Sequence, residues 1–157
     1  MNIAAVDPGI TGAYAIRYEA HEILIQKNYL PGQEGDPKPM VEDMISLGVR
    51  SVVMEDMSGG KATSQVSAIN WGRLKQCLLD NGIGVSVVHP STWKAKLKLR
   101  GASSDTEAVR KGRSIALAKE LYPNVNLKPT EKQKDSSDFA EALLILHWAI
   151  TEKNLGK

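Results

Sequence analysis

The sequence predicts an α/β fold: a mixed five-stranded sheet, with its first three strands antiparallel, flanked by helices. Three observations predict it. The N-terminal part carries three apolar runs joined by short turns. Beyond them, β-branched runs alternate with segments of helical spacing, and the chain closes on a long, strongly apolar helical segment. A hairpin start followed by strand–helix alternation makes a mixed sheet with helices packed on it.

The elements follow in order. Asn2 to Val6 is a short apolar strand ending at the turn signal Asp7-Pro8-Gly9. Gly12 to Tyr18 and Glu22 to Leu30 read as the second and third strands of a meander with tight connections. Pro31 to Pro39 is rich in Gly and Pro and reads as a loop. Met40 to Leu47 has helical spacing and a stop at Gly48. Ser51 to Met54 is a buried strand carrying Glu55 at its C-terminal end, and Ser58-Gly59-Gly60 reads as a flexible loop. Ser64 to Asn81 is helical and closed by Gly82. Val85 to Val88 is another β-branched run, followed by a turn at His89-Pro90. Thr106 to Leu121 is a helix stopped by Pro123, and Asp135 to Glu152 is the final helix.

The 157 residues suit one domain over 1–157, and 42% apolar residues suffice for a core. No apolar run approaches the roughly 18 residues that span a bilayer, and the N-terminus lacks a signal-peptide pattern. A single cysteine, Cys77, excludes an internal disulfide framework, fits a reducing cytoplasm and reads as core packing. The net charge of +2 hides an asymmetry. Residues 93–134 hold 11 Lys/Arg and 4 Asp/Glu, a net +7, which leaves −5 for the rest. That pattern is either a polyanion-binding face beside an acidic site or an ordinary solvated surface.

Four carboxylates carry the chemistry. Asp7 and Glu55 end two apolar strands, so neighbouring strands would bring them to one sheet edge. Asp138 and Glu141 are three apart on a helix and share a face, with Ala142, Ile145 and Ala149 turning that face towards the sheet. Four clustered carboxylates repel one another in a low dielectric, so protons or cations must hold them together. Hard oxygen ligands suit Mg²⁺ or Mn²⁺, and two such ions about 3.5–4 Å apart activate water against a phosphodiester. No metal-spaced Cys/His set, phosphate-binding glycine loop or nucleophile elbow appears.

Each acid also has a plainer role. Asp7 before Pro-Gly is a turn former. Glu55 is a strand end, with Asp56 beside it as solvated neighbour or alternative ligand. Asp138-Phe139-Ala140-Glu141 matches a capping box, and Asp135, Ser136 and Ser137 compete for the cap.

Three segments resemble the RuvC-type Holliday junction resolvases of the RNase H-like superfamily. Ile3-Ala4-Ala5-Val6-Asp7-Pro8-Gly9 with Thr11-Gly12 is similar to the family's first motif, and Val52-Val53-Met54-Glu55 to its second. Asp138-Phe139-Ala140-Glu141-Ala142-Leu143-Leu144-Ile145 is similar to its third. The motifs stand in order along nearly the whole chain. The resemblance implies an RNase H-like nuclease domain with catalytic metal ligands at Asp7, Glu55, Asp138 and Glu141. It also implies two Mg²⁺ ions per site with Mn²⁺ as substitute, and a homodimer cutting opposing strands of a four-way junction. The expected setting is the cytoplasm of a bacterial cell or phage-infected host. The shortness of the chain and the Glu at its last acid lean towards a phage-type member with broader action on branched DNA. Two departures matter. Many relatives place an aromatic wedge three residues after the second-motif Glu, where this chain has Ser58, and Asp135 supplies an extra acid beside Asp138.

DNA contacts are expected from Lys61 in the Met57–Ala62 loop, from Lys94, Lys98 and Arg100 in one basic run, and from Lys111 and Arg113 in another. Lysines touch phosphate as point charges, so binding should weaken steeply with salt. Lys111 is also a candidate helper of the leaving group. Trp93 either stacks on a base or anchors a loop, and Phe139 and Trp148 read as core. His89 reads as a turn residue. Gln65, Trp71 and Gly72 mark a candidate dimer region on a helix with apolar residues on more than one face. Competing functions are a looser branched-DNA or RNA-processing nuclease and a non-catalytic junction-binding protein.

Overall fold

The computed structural model describes residues 1–57 and 64–152. Its centre is a five-stranded sheet in the order β3-β2-β1-β4-β5. The strands are β1 (Ile3–Asp7), β2 (Ala13–Tyr18), β3 (Glu22–Lys27), β4 (Ser51–Glu55) and β5 (Gly84–Val88). β1, β2 and β3 form the expected antiparallel meander, while β4 runs parallel to β1 and β5 parallel to β4. The sheet is therefore mixed, as the order of segments predicts. β3 stops three residues earlier than its apolar run, because Asn28 and Tyr29 leave the ladder to become buried beside the β1–β2 turn.

Side chains alternate across the strands, and the two faces carry separate cores. Ile3, Ala5, Ala13, Ala15 and Val53 pack with the C-terminal helix α5 (Ser137–Thr151) and with Ala118 of α4 (Glu107–Leu121). Ala4, Val6, Tyr14, Ile16, Val52 and Met54 pack on the other face against α1 (Lys38–Ser46) and α2 (Gln65–Asp80). Along β1 this alternation leaves no polar side chain before Asp7. α5 buries nine of its residues, Phe139 and Trp148 among them, as their apolar character requires.

Caps set the helix starts. Ser64 accepts from Ser67 N–H, Thr106 from Val109 N–H and Ser136 from Phe139 N–H. One element escapes the sequence reading. His89-Pro90 is not a free turn: His89 Nδ1 accepts from Ser91 N–H and caps a seven-residue helix, α3 (Pro90–Lys96). Proline at the first helical position suits a helix as well as a turn, and seven residues hold too few apolar positions to show a period. Cys77 is only partly buried, at the margin of the α1/α2 core rather than inside it. Among the described residues no helix is long and apolar enough to cross a membrane.

Candidate active site

Strand parity builds the first half of the site. Ile3 and Ala5 face α5, so Asp7, next on the same parity, faces it too. Val53 faces α5, so Glu55 does as well. β1 and β4 are parallel neighbours with Val6 opposite Met54, which brings Asp7 and Glu55 to the same level at the C-terminal edge of the sheet. The turn after Asp7 is locked. Asn28 Nδ2 donates to the carbonyls of Asp7 (2.6 Å) and Gly9 (2.9 Å). Gly12 N–H donates to Gly9 O at 2.9 Å. A Cβ at Gly12 would collide with the Asp7 carbonyl oxygen and lie 2.6 Å from Asn28 Nδ2. That close approach is the physical need behind the Thr11-Gly12 pair.

Glu55 is held at both ends. Its carbonyl accepts from Trp71 Nε1 of α2 at 3.0 Å, and its carboxylate accepts from Trp93 Nε1 of α3 at 3.1 Å. Glu55 is 8% exposed and Trp93 is fully buried. Trp93 is therefore the anchor rather than the stacking residue, and its single N–H goes to a site acid. Asp56 lies just past the strand, its N–H donated to the carbonyl of Val88 at 2.8 Å.

The start of α5 supplies the other pair. Because Ser136 is the cap, Asp138 lies inside the first turn and the Asp138–Glu141 capping box does not form. Glu141 is gripped from two elements. Lys94 Nζ reaches its oxygens at 3.2 and 3.3 Å, and the buried Ser114 hydroxyl donates to Oε1 at 3.2 Å. Asp135 is instead ion-paired to Lys119 at 2.8 Å, which leaves Asp138 as the acid that faces its partners.

The electrostatics join the two halves. Burial holds the Asp7 carboxyl well above the usual carboxylate range, and the charges of Glu55, Glu141 and Asp138 push it further, against Lys94. Burial raises Glu55 as well, with Glu141 adding to the rise, while Lys94, the Trp93 hydrogen bond and His89 oppose it. Asp138 is raised by burial and Glu141 and held back by Lys111 and Lys27. Four acids within each other's field, all hard oxygen donors, have the chemistry of a divalent-cation site. They are not drawn into a finished cage: among the described residues no group of three or more His, Cys, Asp or Glu is set close enough to hold a metal ion. Lys94 is the cation whose charge opposes the rise at both Asp7 and Glu55.

The expected DNA-contacting cations fall into different situations. Lys94 is occupied by Glu141 and lies 5.0 Å from the Trp93 ring centroid. Lys111 pairs with Glu107 at 2.8 Å and stands in the field of Asp138 and Glu141. Arg113 is bound to Asp105 at 2.6 Å. Arg100 donates to the carbonyl of Ser91 at 3.2 Å. Lys98 is exposed, with φ at 56°. Lys61 and the Ser58-Gly59-Gly60 loop lie outside the described residues. The sequence reading missed Trp71 and Ser114 as supports of the acids, and Lys27 as a cation beside Asp138. Nothing local marks them, since each acts on an acid from a different element.

No protein-family model matches the chain, and no curated protein matches it in sequence. Solved structures share its fold. Thermus thermophilus RuvC aligns over 98% of this chain and 97% of its own, with TM-score 0.59 and 13% identity. T. thermophilus RuvC in complex with Holliday junction substrate aligns over 99% and 97%, with TM-score 0.63 and 14% identity. The Fowlpox virus resolvase, in complex with substrate Holliday junction DNA, aligns over 90% and 95%, with TM-score 0.52 and 22% identity.

Proposed function

We propose that this chain is a divalent-metal-dependent endonuclease that nicks opposing strands of four-way DNA junctions as a homodimer. The observation that carries it is the convergence of Asp7 and Glu55, at adjacent strand ends, with Asp138 and Glu141 on the first turns of α5. Two of the structures that share its fold are described with Holliday junction DNA, which supports the substrate class.

Asp7, Glu55, Asp138 and Glu141 are the residues that would hold Mg²⁺ or Mn²⁺. Two such ions supply a water activated at neutral pH and charge stabilisation for the leaving oxygen. The protein's own groups do the rest. Trp93 and Trp71 fix the orientation of Glu55, and Ser114 fixes Glu141. Lys111, which feels the charges of Asp138 and Glu141, would contact a non-bridging phosphate oxygen or the leaving oxygen on release from Glu107. The water oxygen would bond to phosphorus and give up a proton to solvent, while the P–O bond to the leaving oxygen breaks and that oxygen takes a proton from solvent.

A second copy is needed to cut the second strand. Val66, Ile69 and Leu79 of α2 are exposed, with Gln65 and Gly72 on the same outer surface, and this stripe is the proposed dimer face. Trp71 belongs to it only in part, because its indole N–H is committed to Glu55.

The test is cleavage of a synthetic mobile four-way junction in Mg²⁺, with wild type beside Glu55→Gln. Flap, RNA–DNA hybrid and duplex substrates run in parallel. Symmetric nicks in the junction by wild type alone support the proposal. Equal cutting of flaps points to a looser branched-DNA enzyme. Binding with no cutting in Mg²⁺ or Mn²⁺ points to a non-catalytic junction protein and sinks it.

A further inference from the structure

Asp138 also lines a groove of about 620 Å³, together with Lys27, Tyr29, Glu34 and Lys134. It shares the walls Tyr29, Pro31, Pro129 and Phe139 with a larger cavity of about 1030 Å³ that runs beside the edge strand β3 and carries Lys128. The larger cavity is walled in part by Leu121 at the end of α4, and none of Lys94, Lys98, Arg100, Lys111 or Arg113 lines either space.

Of the six cations on α3 and α4, all but Arg110 are held in ion pairs among the described residues. Lys94, Lys96, Lys111, Arg113 and Lys119 are each in an ion pair with an acid of the chain. Lys27, Lys128 and Lys134 are exposed and take part in none of the ion pairs among the described residues. A paired ammonium must give up its carboxylate to meet a phosphate, whereas an unpaired one gives up only water. The acids on this flank, Glu34 in the groove and Glu22 in the cavity, are likewise in none of those pairs.

We propose that this groove is the track of one DNA strand leading away from the scissile phosphate, with Lys27 and Lys134 contacting its phosphates and Lys128 continuing the line. The assignment rests on the nuclease reading above. It adds a strand-positioning surface that uses none of the basic residues of α3 and α4. The occupant is a polyanion because the exposed cations of this flank, Lys27, Lys128 and Lys134, outnumber its exposed acids, Glu22 and Glu34, and because Asp138 of the site lines the same groove.

Junction affinity measured across a KCl series tests it, with wild type beside the double variant Lys27→Ala/Lys134→Ala. Each phosphate contact contributes about 0.7–0.9 to the slope of log affinity against log salt, so the variant should lose roughly 1.4–1.8 of that slope and bind on the order of tenfold more weakly. A charge-matched pair away from the groove, Lys38→Ala/Arg50→Ala, is the control. A direct readout is disulfide capture: Lys27→Cys in a Cys77→Ser background, offered junctions with a thiol tethered to one phosphate at successive positions from the cut. Capture confined to a few phosphates on one side of the cut supports the track. An unchanged slope, an equal loss from the control pair, or capture without positional preference overturns it. If wild type binds no junction at all, the nuclease reading has failed and the groove assignment falls with it. If wild type binds and the groove pair is silent, the groove alone is wrong.

Discussion

Two flanks meet at the same carboxylates, and they hold their positive charge differently. On the α3–α4 side the basic residues are numerous, but several are tied to acids: Lys94 to Glu141, Lys111 to Glu107, Arg113 to Asp105. On the β3 side there are fewer, and Lys27 and Lys134 line an open groove without an ion pair among the described residues. Counting Lys and Arg along the chain ranks the first flank higher. Counting the cations that are in no ion pair among the described residues evens them: Lys98, Arg100 and Arg110 on the first flank, Lys27, Lys128 and Lys134 on the second. Paired cations also have a task of their own, since Lys94 offsets part of the negative charge around Asp7 and Glu55.

The largest expected effect lies at the acids that both flanks serve. Asp7→Asn should lower junction cleavage by 10²–10³-fold or more, the scale of losing a central electrostatic group, while junction affinity in gel-shift titrations stays near wild type. Loss of binding together with cutting would mean that Asp7 is structural, and the comparison would lose its centre.

Trp93→Phe comes next. It keeps most of the buried ring and removes the N–H that Glu55 accepts. Partners behind metal ligands typically contribute 10–100-fold in affinity or activity. The variant should therefore need more Mn²⁺ for half-maximal cleavage. A fall in thermal stability without any shift in that Mn²⁺ requirement would make Trp93 packing only.

A smaller effect separates the flanks directly. Arg113→Gln removes a cation already bound to Asp105, so its salt slope should change less than that of Lys27→Ala under identical conditions. The reverse order would show that the ion pair opens for DNA and that α4 is the dominant flank.

The smallest effect is on stability. Asp7, Glu55 and Asp138 all have raised folded-state pKa values. Groups raised above their unfolded values of about 3.9–4.3 favour the fold fully below those values and lose that contribution as pH rises through the folded ones. In EDTA the thermal midpoint should therefore climb as pH falls from 8 towards 5. Asp7→Asn should be more stable than wild type at pH 8, with the gap closing in acid. A gain of about 1 kcal/mol corresponds to roughly 2–4 °C at this size. A gap that is flat across pH would mean that the acids are not under mutual strain.

Much of the fold was legible because its signals are local. β1 and β4 read as strands from β-branched and apolar runs, and Asp7 and Glu55 were visible as the first polar residues after them. Asp138 and Glu141 share a helix face by spacing alone, and Ala142, Ile145 and Ala149 are buried as that face predicts. The choice between Asp135 and Asp138 was not legible. Three adjacent residues are good caps, and only the observed bond from Ser136 to Phe139 N–H, with Lys119 taking Asp135, separates them. α3 was missed because seven residues opening on His-Pro look like a turn.

What the sequence determined by itself is therefore the strands and the helix that carry the four candidate acids, because periods of 2 and 3.6 are properties of neighbouring residues. The tertiary structure decided which cations are spent and which are free, that two tryptophans from separate helices hold one glutamate, and that a groove leaves the site beside β3. Each of these depends on which distant segments become neighbours, and pairing between side chains many residues apart leaves no mark in local order.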